Sequence, residues 1–228
     1  MTSSIRDYWN SIGGIPKELI GCYPMGGGGI LEAPYRHYFE VKHLLKLINF
    51  QNQMNVLELG CGNGRWVVSL APLVSSYTAI DFSRPAVNVA RQRIKNAGID
   101  NVVFYELPIL DFKGEKKYDV IYFSGVTQYL QDNEVKKILT NLKPWINSRT
   151  IIIDRSTLNY KSREILERED YYSIFRTPVE LVEIFNAFGF KKNYQKRSYR
   201  FLRGGSYFSI WPFKKILPIL SNLTRPIS

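Results

Sequence analysis

The sequence predicts an α/β protein with a Rossmann-like, doubly wound sheet of seven strands, mostly parallel, with one antiparallel strand near the C-terminus. Short apolar runs alternate along the chain with stretches of helical periodicity. The runs NVLEL, YDVIYF and TIIID are almost continuously apolar, which is typical of strands buried on both faces of a parallel sheet. A glycine-rich loop follows the first of these runs, at the place where such sheets bind ligands.

The elements are expected in an order that alternates strand and helix. Apolar spacing, turn residues and capping signals set their limits. The expected helices cover 34–50, 64–73, 84–97, 132–142 and 178–188. The expected strands cover 54–59, 77–80, 102–105, 118–123 and 150–154, with a final pair at 190–196 and 199–202.

Three regions are expected along the chain. Residues 1–33 are expected to form an irregular N-terminal segment or lid, and their glycine run at 26–29 is either a plain linker or a loop that passes close to a ligand. Residues 34–203 are expected to form the α/β domain, and residues 204–228 a basic amphipathic tail.

The composition is that of a soluble globular protein. Apolar residues make up 45% of the 228 residues and charged residues 22%. There is no apolar run of about 18 residues, and the N-terminus lacks the layout of a signal peptide, so a cytoplasmic location is expected. The two cysteines, Cys22 and Cys61, are expected to be reduced thiols, and no metal site is expected.

The net charge of +11 is concentrated at one end of the chain. Residues 191–228 carry nine basic residues and no acidic residue. This favours an anionic partner: a phosphate-bearing substrate, a membrane surface or nucleic acid. The stretch 211–220 combines apolar residues with lysines, which suits peripheral contact with the inner membrane face. The alternatives are a tail folded back on its own domain and, ranked last, nucleic-acid binding.

The glycine loop and a carboxylate behind it predict a nucleoside site. The loop reads Glu58-x-Gly60-x-Gly62-x-Gly64, and Asp81, which ends the next strand, lies 21 residues after Gly60. Glycines let the backbone approach a ligand, and an acid at this distance suits the ribose hydroxyls. The third glycine of a dinucleotide fingerprint would fall at position 65, which is Arg65.

The chain at this point resembles the class I S-adenosylmethionine-dependent methyltransferases. The resemblance rests on VLELGCGNGRW (56–66), AIDFS (79–83), KYDVIYFSGVTQYL (117–130) and AFGFKKNYQKRSYRF (187–201), and it spans about 34–203. It implies an enzyme that uses S-adenosylmethionine and releases S-adenosylhomocysteine. The alternatives are a dinucleotide oxidoreductase and a relative of the same fold that is not catalytic or binds nucleic acid through the tail.

The resemblance also implies which residues hold the cofactor. The backbone of Gly60 and of Ser124 would hold the methionine ammonium, and Glu58 would orient the loop or reach that ammonium through water. Asp81 would take the ribose hydroxyls and Phe82 would pack on the adenine. The loop residues Cys61, Gly62 and Gly64 are also implied to contact the cofactor. Arg36, on the helix before the first strand, resembles an arginine that pairs with the methionine carboxylate in some relatives.

One position departs from the family pattern. Many relatives carry an acid after the third strand to accept the adenine amino group, and Pro108 stands there. Leu107 and Ile109 are still expected to wall the adenine, with the N–H of Ile109 available to a ring nitrogen. Glu106 and Asp111 are the candidate substitutes for the missing acid.

Catalytic residues for the acceptor are sought among histidines and acids. His37 is a candidate general base, with a structural helix histidine as the alternative, and Asp154 ends the fifth strand on the substrate side, with a salt bridge to Arg155 or a cap as its alternative. Gln128 and Tyr129 are expected to line the acceptor pocket. The sequence SGVT, where amide and base-amine enzymes carry NPPY, argues against those classes.

These observations together predict a small-molecule methyltransferase. O-methylation of an anionic sugar, glycan or lipid-linked intermediate is placed slightly ahead of N-methylation of a small amine.

Overall fold

A computed structural model describes residues 3–13, 29–169, 171–192 and 195. The chain divides into two compact units. The first unit comprises Met1–Gly14 and Gln51–Tyr194, and the second comprises Ile15–Phe50 and Gln195–Ser228. In the second unit the described element is the helix α2, Gly29–Leu47. The boundaries expected at residues 33 and 203 remain predictions.

The first unit is built on a parallel sheet of five strands in the order β3-β2-β1-β4-β5. The chain places β2 and β3 on one side of β1 and then crosses to place β4 and β5 on the other. The order therefore reverses between β1 and β4, and the predicted doubly wound α/β fold is confirmed. The strands are β1 (Asn55–Leu59), β2 (Ser76–Asp81), β3 (Val102–Glu106), β4 (Val120–Phe123) and β5 (Ile151–Asp154).

Helices follow the strands close to the expected limits. They are α3 (Arg65–Leu70), α4 (Arg84–Asn96), α5 (Asp132–Leu142) and α6 (Pro178–Asn186). The starts of α5 and α6 are fixed by capping boxes, in which Gln131 pairs with Glu134 and Thr177 with Glu180. Each box satisfies N–H groups that the first helical turn leaves without an intrahelical partner.

The main hydrophobic core involves alternate residues of the central strands. Leu57 and Leu59 of β1 and Phe123 of β4 belong to one buried cluster with Ile138 and Leu139 of α5. Side chains alternate between the two faces of a strand, so Glu58 faces away from this cluster. The opposite face is buried as well, with Trp66 packed edge-on against Tyr122.

Two further strands form a separate antiparallel hairpin, β6 (Glu164–Arg168) and β7 (Tyr171–Phe175). The sequence-based prediction missed this hairpin because β6 is mostly exposed and carries charged residues, so it lacks an apolar run. The final strand pair was instead expected at 190–196 and 199–202. Residues 190–192 are not strand, and nearly all of the remainder lies outside the described residues. The seven strands of the described residues are thus five parallel and two antiparallel.

The N-terminal segment begins with a helix, α1 (Ser3–Gly13), so the expectation of irregular structure throughout 1–33 was wrong. Ile5, Tyr8, Trp9 and Ile12 recur at helical spacing, and two glycines follow. Within the first unit α1 packs against α4 and β7. Gly29 begins α2, whereas the rest of the glycine run lies outside the described residues. None of the helices in the described part of the chain is long and apolar enough to cross a membrane.

Candidate functional site

The predicted cofactor residues of the first unit meet at one edge of the sheet. The pairing registers place Leu59 opposite both Ile80 and Phe123, and place Phe123 opposite Asp154. The segments that leave β1, β2, β4 and β5 therefore begin at the same level. This edge includes the crevice between β1 and β4, where open α/β sheets bind ligands.

The glycine loop folds back onto the end of β2. Its three glycines have left-handed backbone angles, with φ of 78° at Gly60, 51° at Gly62 and 76° at Gly64. The N–H groups of Gly60 and Cys61 both donate to the carbonyl of Ile80, at 2.8 and 2.9 Å. Residues with a Cβ rarely adopt this conformation, so the loop depends on its glycines.

Each glycine of the loop meets a different environment. A Cβ added to Gly60 would lie 2.1 Å from Cγ2 of Val126, and one added to Gly64 would lie 2.8 Å from Cβ of Ala90. A Cβ added to Gly62 would have no heavy atom within 4 Å. The missing Cβ of Gly60 therefore leaves room for the segment after β4, and that of Gly64 leaves room for α4. Gly62 has open space beside its backbone, which a ligand can approach.

Asp81 joins the glycine loop to the segment after β2. One carboxylate oxygen accepts from the N–H of Gly62 at 2.8 Å, and the other accepts from the N–H of Ser83 at 2.9 Å. Burial raises the pKa of Asp81, and these backbone hydrogen bonds act against that rise. A carboxylate has about four acceptor sites, so both oxygens retain capacity for hydroxyl donors such as those of a ribose.

Glu58 is a fully buried acid directly behind the loop. The Tyr77 hydroxyl donates to Oε2 at 2.8 Å, and Oε1 has no hydrogen-bond partner within the described residues. Burial raises the pKa of Glu58 to about 8, against the opposing effects of the side chains of Tyr77, Ser124 and Arg65. A buried carboxyl group with an unsatisfied oxygen is poised to respond to a nearby positive charge.

The segment after β3 forms one wall of the same edge. Leu107 and Ile109 are partly buried against the main core, and the N–H of Leu107 donates to the carbonyl of Asp81 at 3.1 Å. Pro108 precedes a 3₁₀ turn, Ile109–Asp111. The position of a Cβ on Gly60 would lie 3.9 Å from Cδ1 of Ile109, so this wall reaches the glycine loop.

The candidate adenine contacts have side chains at the surface or partly buried. Phe82, directly after Asp81, is partly buried. Glu106 is exposed and lies 3.9 Å from Arg84, and Asp111 is exposed at the end of the 3₁₀ turn. The roles assigned to the β3 segment and to these residues remain predictions.

Ser124 lies on the far side of the crevice, directly after β4. Its N–H donates to the carbonyl of Leu59 at 3.1 Å. The N–H groups of both Gly60 and Ser124 are thus used within the protein. An ammonium group needs acceptors, so the carbonyls of these residues are the backbone groups suited to it.

Residues 126–130, here called the post-β4 turn, contain a 3₁₀ helix at Thr127–Tyr129. Gln128 is buried, and its Oε1 accepts from the N–H of Thr157 at 2.8 Å, so it ties the turn to the segment after β5. Tyr129 packs edge-on against Trp9 of α1 and against Tyr171 of β7. Burial raises the pKa of Tyr129 well above its usual value, so the hydroxyl stays protonated and is not available to take a proton.

Asp154 is a partly buried acid beside the post-β4 turn. The Thr127 hydroxyl donates to its Oδ1 at 2.7 Å. The Ser156 hydroxyl lies 3.1 Å from the same oxygen and also contacts the Thr127 hydroxyl, so its single proton serves one of these two oxygens. Oδ2 of Asp154 is buried without a hydrogen-bond partner among the residues described. Burial raises the pKa of Asp154 to about 6, against the opposing effects of Thr127, Ser156, Arg176 and Arg155.

The two candidates on α2 belong to the second unit. His37 is partly buried, and the side chain of Arg36 lies outside the described residues. Their predicted roles, as general base and as partner of the methionine carboxylate, remain predictions.

Several residues at this edge carried no usable sequence signal. Thr127 and Ser156 are common hydroxyl residues in loops, and Arg176 lies in the FRTPVE segment, where an arginine is expected to be exposed. The contacts among these residues depend on the position of the β6–β7 hairpin, whose sequence has no strong apolar periodicity. Within the described ranges, no group of three or more His, Cys, Asp or Glu side chains is arranged to hold a metal ion.

Comparison with known proteins identifies methyltransferases. Residues 50–210 match the family described as "Methyltransferase domain". The chain is 36% identical over 93 residues to malonyl-[acyl-carrier protein] O-methyltransferase of Bacillus anthracis, which covers 40% of this chain and 33% of the relative. It is 23% identical over 199 residues to probable (S)-tetrahydroprotoberberine N-methyltransferase 2 of Papaver bracteatum, covering 78% of this chain and 53% of the relative.

A similar fold occurs in phosphoethanolamine N-methyltransferase 1 of Haemonchus contortus, solved with phosphoethanolamine and S-adenosylhomocysteine. The TM-score is 0.63 at 18% identity, over 80% of this chain and 41% of the other. The chain spans a third to about half of the two curated relatives named above. The family match covers most of this chain and confirms the resemblance to class I S-adenosylmethionine-dependent methyltransferases.

The burial of Glu58 predicts how stability depends on pH. The pKa of this group is about 8 when folded and near 4.5 when exposed, so the unfolded state binds fewer protons between these values. Stability from this group is therefore lost as pH rises from about 4.5 to about 8. We expect Glu58→Gln to be more stable than the unsubstituted protein at pH 8, with the difference shrinking toward pH 4.5.

Urea unfolding across this pH range measures the difference, because the other carboxyl groups are common to both proteins. Glu183→Gln, at an exposed acid, is the control and is expected to give a curve parallel to that of the unsubstituted protein. A parallel curve for Glu58→Gln as well would show that Glu58 titrates as an ordinary carboxyl group.

Proposed function

We propose, because the chain belongs to the methyltransferase-domain family, that it transfers a methyl group from S-adenosylmethionine to a small-molecule acceptor. O-methylation of a sugar, glycan or lipid-linked intermediate is the leading reaction. The observation that carries the proposal is the Asp81 carboxylate bonded to the Gly62 N–H at the switch point of the sheet. A nucleoside site needs this combination of open backbone and an acceptor carboxylate.

The described residues fit the proposed cofactor. Asp81 would accept from the ribose hydroxyls, and the open backbone at Gly62 allows close approach. The carbonyls of Gly60 and Ser124 would accept from the methionine ammonium. The unsatisfied oxygen of Glu58 lies behind the same loop, where a cationic ligand would favour its ionised form. The wall formed by Leu107 and Ile109 would contact the adenine.

Asp154 is the group proposed to take a proton from the molecule that is methylated. When bound, S-adenosylmethionine supplies an electrophilic methyl group, which a lone pair of the acceptor takes as the carbon–sulfur bond breaks and S-adenosylhomocysteine is left. A hydroxyl or amine acceptor must also lose a proton. The free Oδ2 of Asp154 would take that proton, while Thr127 and Ser156 hold Oδ1 in place.

The alternative reaction is N-methylation of a small amine. One relative is named as an N-methyltransferase, and the similar structure holds phosphoethanolamine. The relative of higher identity is named as an O-methyltransferase. A neutral hydroxyl gives up its proton less readily than an alkylammonium group, so a dedicated carboxylate is more useful to O-methylation, and this favours the oxygen acceptor.

The basic C-terminal stretch 191–228, which includes the tail, supports an anionic acceptor or contact with an anionic membrane. Its nine basic residues and interleaved aromatic residues lie mostly outside the described residues. This composition is typical of interfacial segments. The rival from another class is a protein of the same fold that is not catalytic and uses the tail to bind nucleic acid.

Replacing Asp81 tests the cofactor site. Asp81→Ala is expected to weaken S-adenosylmethionine binding by about 1–3 kcal/mol, since it removes charge-assisted bonds to the ribose. Titration calorimetry measures this loss, and Asp100→Ala, an exposed acid, serves as the matched control. Absence of binding by the unsubstituted protein, or binding of NADH in its place, would overturn the proposal.

Replacing Asp154 tests its role as a proton acceptor. Asp154→Asn keeps an oxygen for Thr127 but cannot take a proton, so transfer is expected to slow by about 10²–10⁴-fold while cofactor binding persists. Because the pKa of Asp154 is about 6 and the ionised form is the base, the rate should rise with pH to a plateau above about 6.

The measurement uses methyl-labelled S-adenosylmethionine with phosphorylated sugars, lipid-linked sugars and small amines as acceptors. Asp100→Asn, at an exposed acid, should behave like the unsubstituted protein. A full rate in Asp154→Asn would remove Asp154 from the mechanism. Cofactor binding without transfer to any class of acceptor would favour the non-catalytic alternative.

Liposome flotation tests the proposed membrane contact. The full chain is expected to float with vesicles that contain anionic lipid, because lysines and apolar residues of the tail act together. A chain that ends at Leu202 is expected to remain with the unbound fraction. Equal recovery of the two proteins would contradict a role for the tail at membranes.

A further inference from the structure

Arg176 is a buried cation at the end of the β6–β7 hairpin. It is 2% exposed and follows directly after β7. Its Nε donates to Oδ1 of Asp132 at 2.8 Å, and its Nη2 lies 2.6 Å from the same oxygen. The pairing leaves this guanidinium compensated, as a buried charge requires.

The same guanidinium also binds the backbone of the post-β4 turn. Nη1 donates to the carbonyl of Thr127 and Nη2 to the carbonyl of Leu130, both at 2.6 Å. These carbonyls belong to the first residue of the 3₁₀ helix and to the residue that ends it. Three rigid donors of one planar group thus hold the turn against the N-terminus of α5.

Thr127 connects this cation to the proposed base. Its carbonyl accepts from Arg176, while its hydroxyl donates to Oδ1 of Asp154. One residue therefore joins the guanidinium to the carboxylate, and the positive charge of Arg176 acts to lower the pKa of Asp154. The other charge that acts on Asp154 is Arg155, and the hydroxyls bonded to it are those of Thr127 and Ser156.

We propose that Arg176 is a positioning residue for the acceptor half of the site, because it fixes the post-β4 turn and the turn orients Asp154 through Thr127. This rests on the proposed function, in which Asp154 serves the methyl acceptor. The hairpin lies outside the sheet that holds the cofactor residues. The hairpin then serves to position Arg176, the residue that follows β7, at the edge of that sheet.

Arg163 provides a matched control on the same carboxylate. Its Nη1 lies 2.9 Å from Oδ2 of Asp132, and Nη1 lies 3.7 Å from Glu180. The pKa of Asp132 is lowered because hydrogen bonds from Arg163 and Arg176 outweigh the opposing effect of burial. Replacing Arg163 therefore weakens the Asp132 pair but leaves both carbonyl contacts of Arg176 in place.

The experiment compares Arg176→Met, Arg176→Lys and Arg163→Met in the full chain. Carbon-13 NMR follows the titration of the Asp154 carboxyl, assigned with Asp154→Asn. Arg176→Met removes both the charge and the donors, so the pKa of Asp154 should rise by about half a unit or more. In Arg163→Met it should stay at about 6.

Amide hydrogen exchange separates position from charge. The N–H groups of Tyr129 and Leu130 donate within the post-β4 turn, at 2.8 and 3.3 Å. Arg176→Lys keeps the charge but cannot reach all three partners, so these amides should exchange at least about tenfold faster while the Asp154 titration moves little. The amides in Arg163→Met should exchange as in the unsubstituted protein.

Two results would overturn the proposal. One is an unchanged Asp154 titration in Arg176→Met, and the other is unchanged turn amides in Arg176→Lys. If Arg176→Met does not fold, the amide exchange of Arg176→Lys compared with that of Arg163→Met still tests the proposal. None of these readouts needs an acceptor, so failure here is distinct from failure of the proposed methyl transfer, which the Asp154→Asn rate reports.

Discussion

The carboxylate of Asp81 is the contact on which the candidate cofactor site depends. It accepts one N–H from the glycine loop and one from the segment after β2. Two loops that leave neighbouring parallel strands are thereby held at a fixed separation. The glycines alone permit the loop conformation but do not select it, because glycine populates many backbone angles. Asp81 favours the observed conformation together with the Ile80 carbonyl, which accepts from Gly60 and Cys61, and the two oxygens of Asp81 are the acceptors proposed for the ribose.

Three buried or partly buried acids show how environment separates their proton affinities. Burial dominates at Glu58 and at Asp154, whose pKa values rise to about 8 and about 6. Asp132 contacts two guanidinium groups, and its pKa is lowered. Acids with separated pKa values are suited to different roles. Glu58 can respond to a cationic ligand, Asp154 is poised to take a proton near neutral pH, and Asp132 stays ionised as an anchor.

Local sequence signals indicated the residues of the candidate cofactor site, whose roles remain predictions, and missed several residues of the proposed acceptor half. The roles of Gly60, Gly62 and Asp81 follow from a loop and a strand end that are close in sequence, and the helix limits follow from caps such as Thr177. Thr127, Asp154 and Arg176 come from three separate segments, and only the register of β4 with β5 and the packing of the hairpin bring them together. The exposed, charged strand β6 has no apolar periodicity, so no pattern indicated it.

The two halves of the site are joined through the post-β4 turn. Val126, at its start, lies against Gly60, whose missing Cβ leaves room for the Val126 methyl group. Leu130, at its end, is held by Arg176. A displacement of the turn would therefore press on the glycine loop at one end and release Thr127 from its place beside Asp154. Because packed side chains tolerate little compression, the fit of Val126 against Gly60 couples the geometry of the cofactor loop to that of the proposed base.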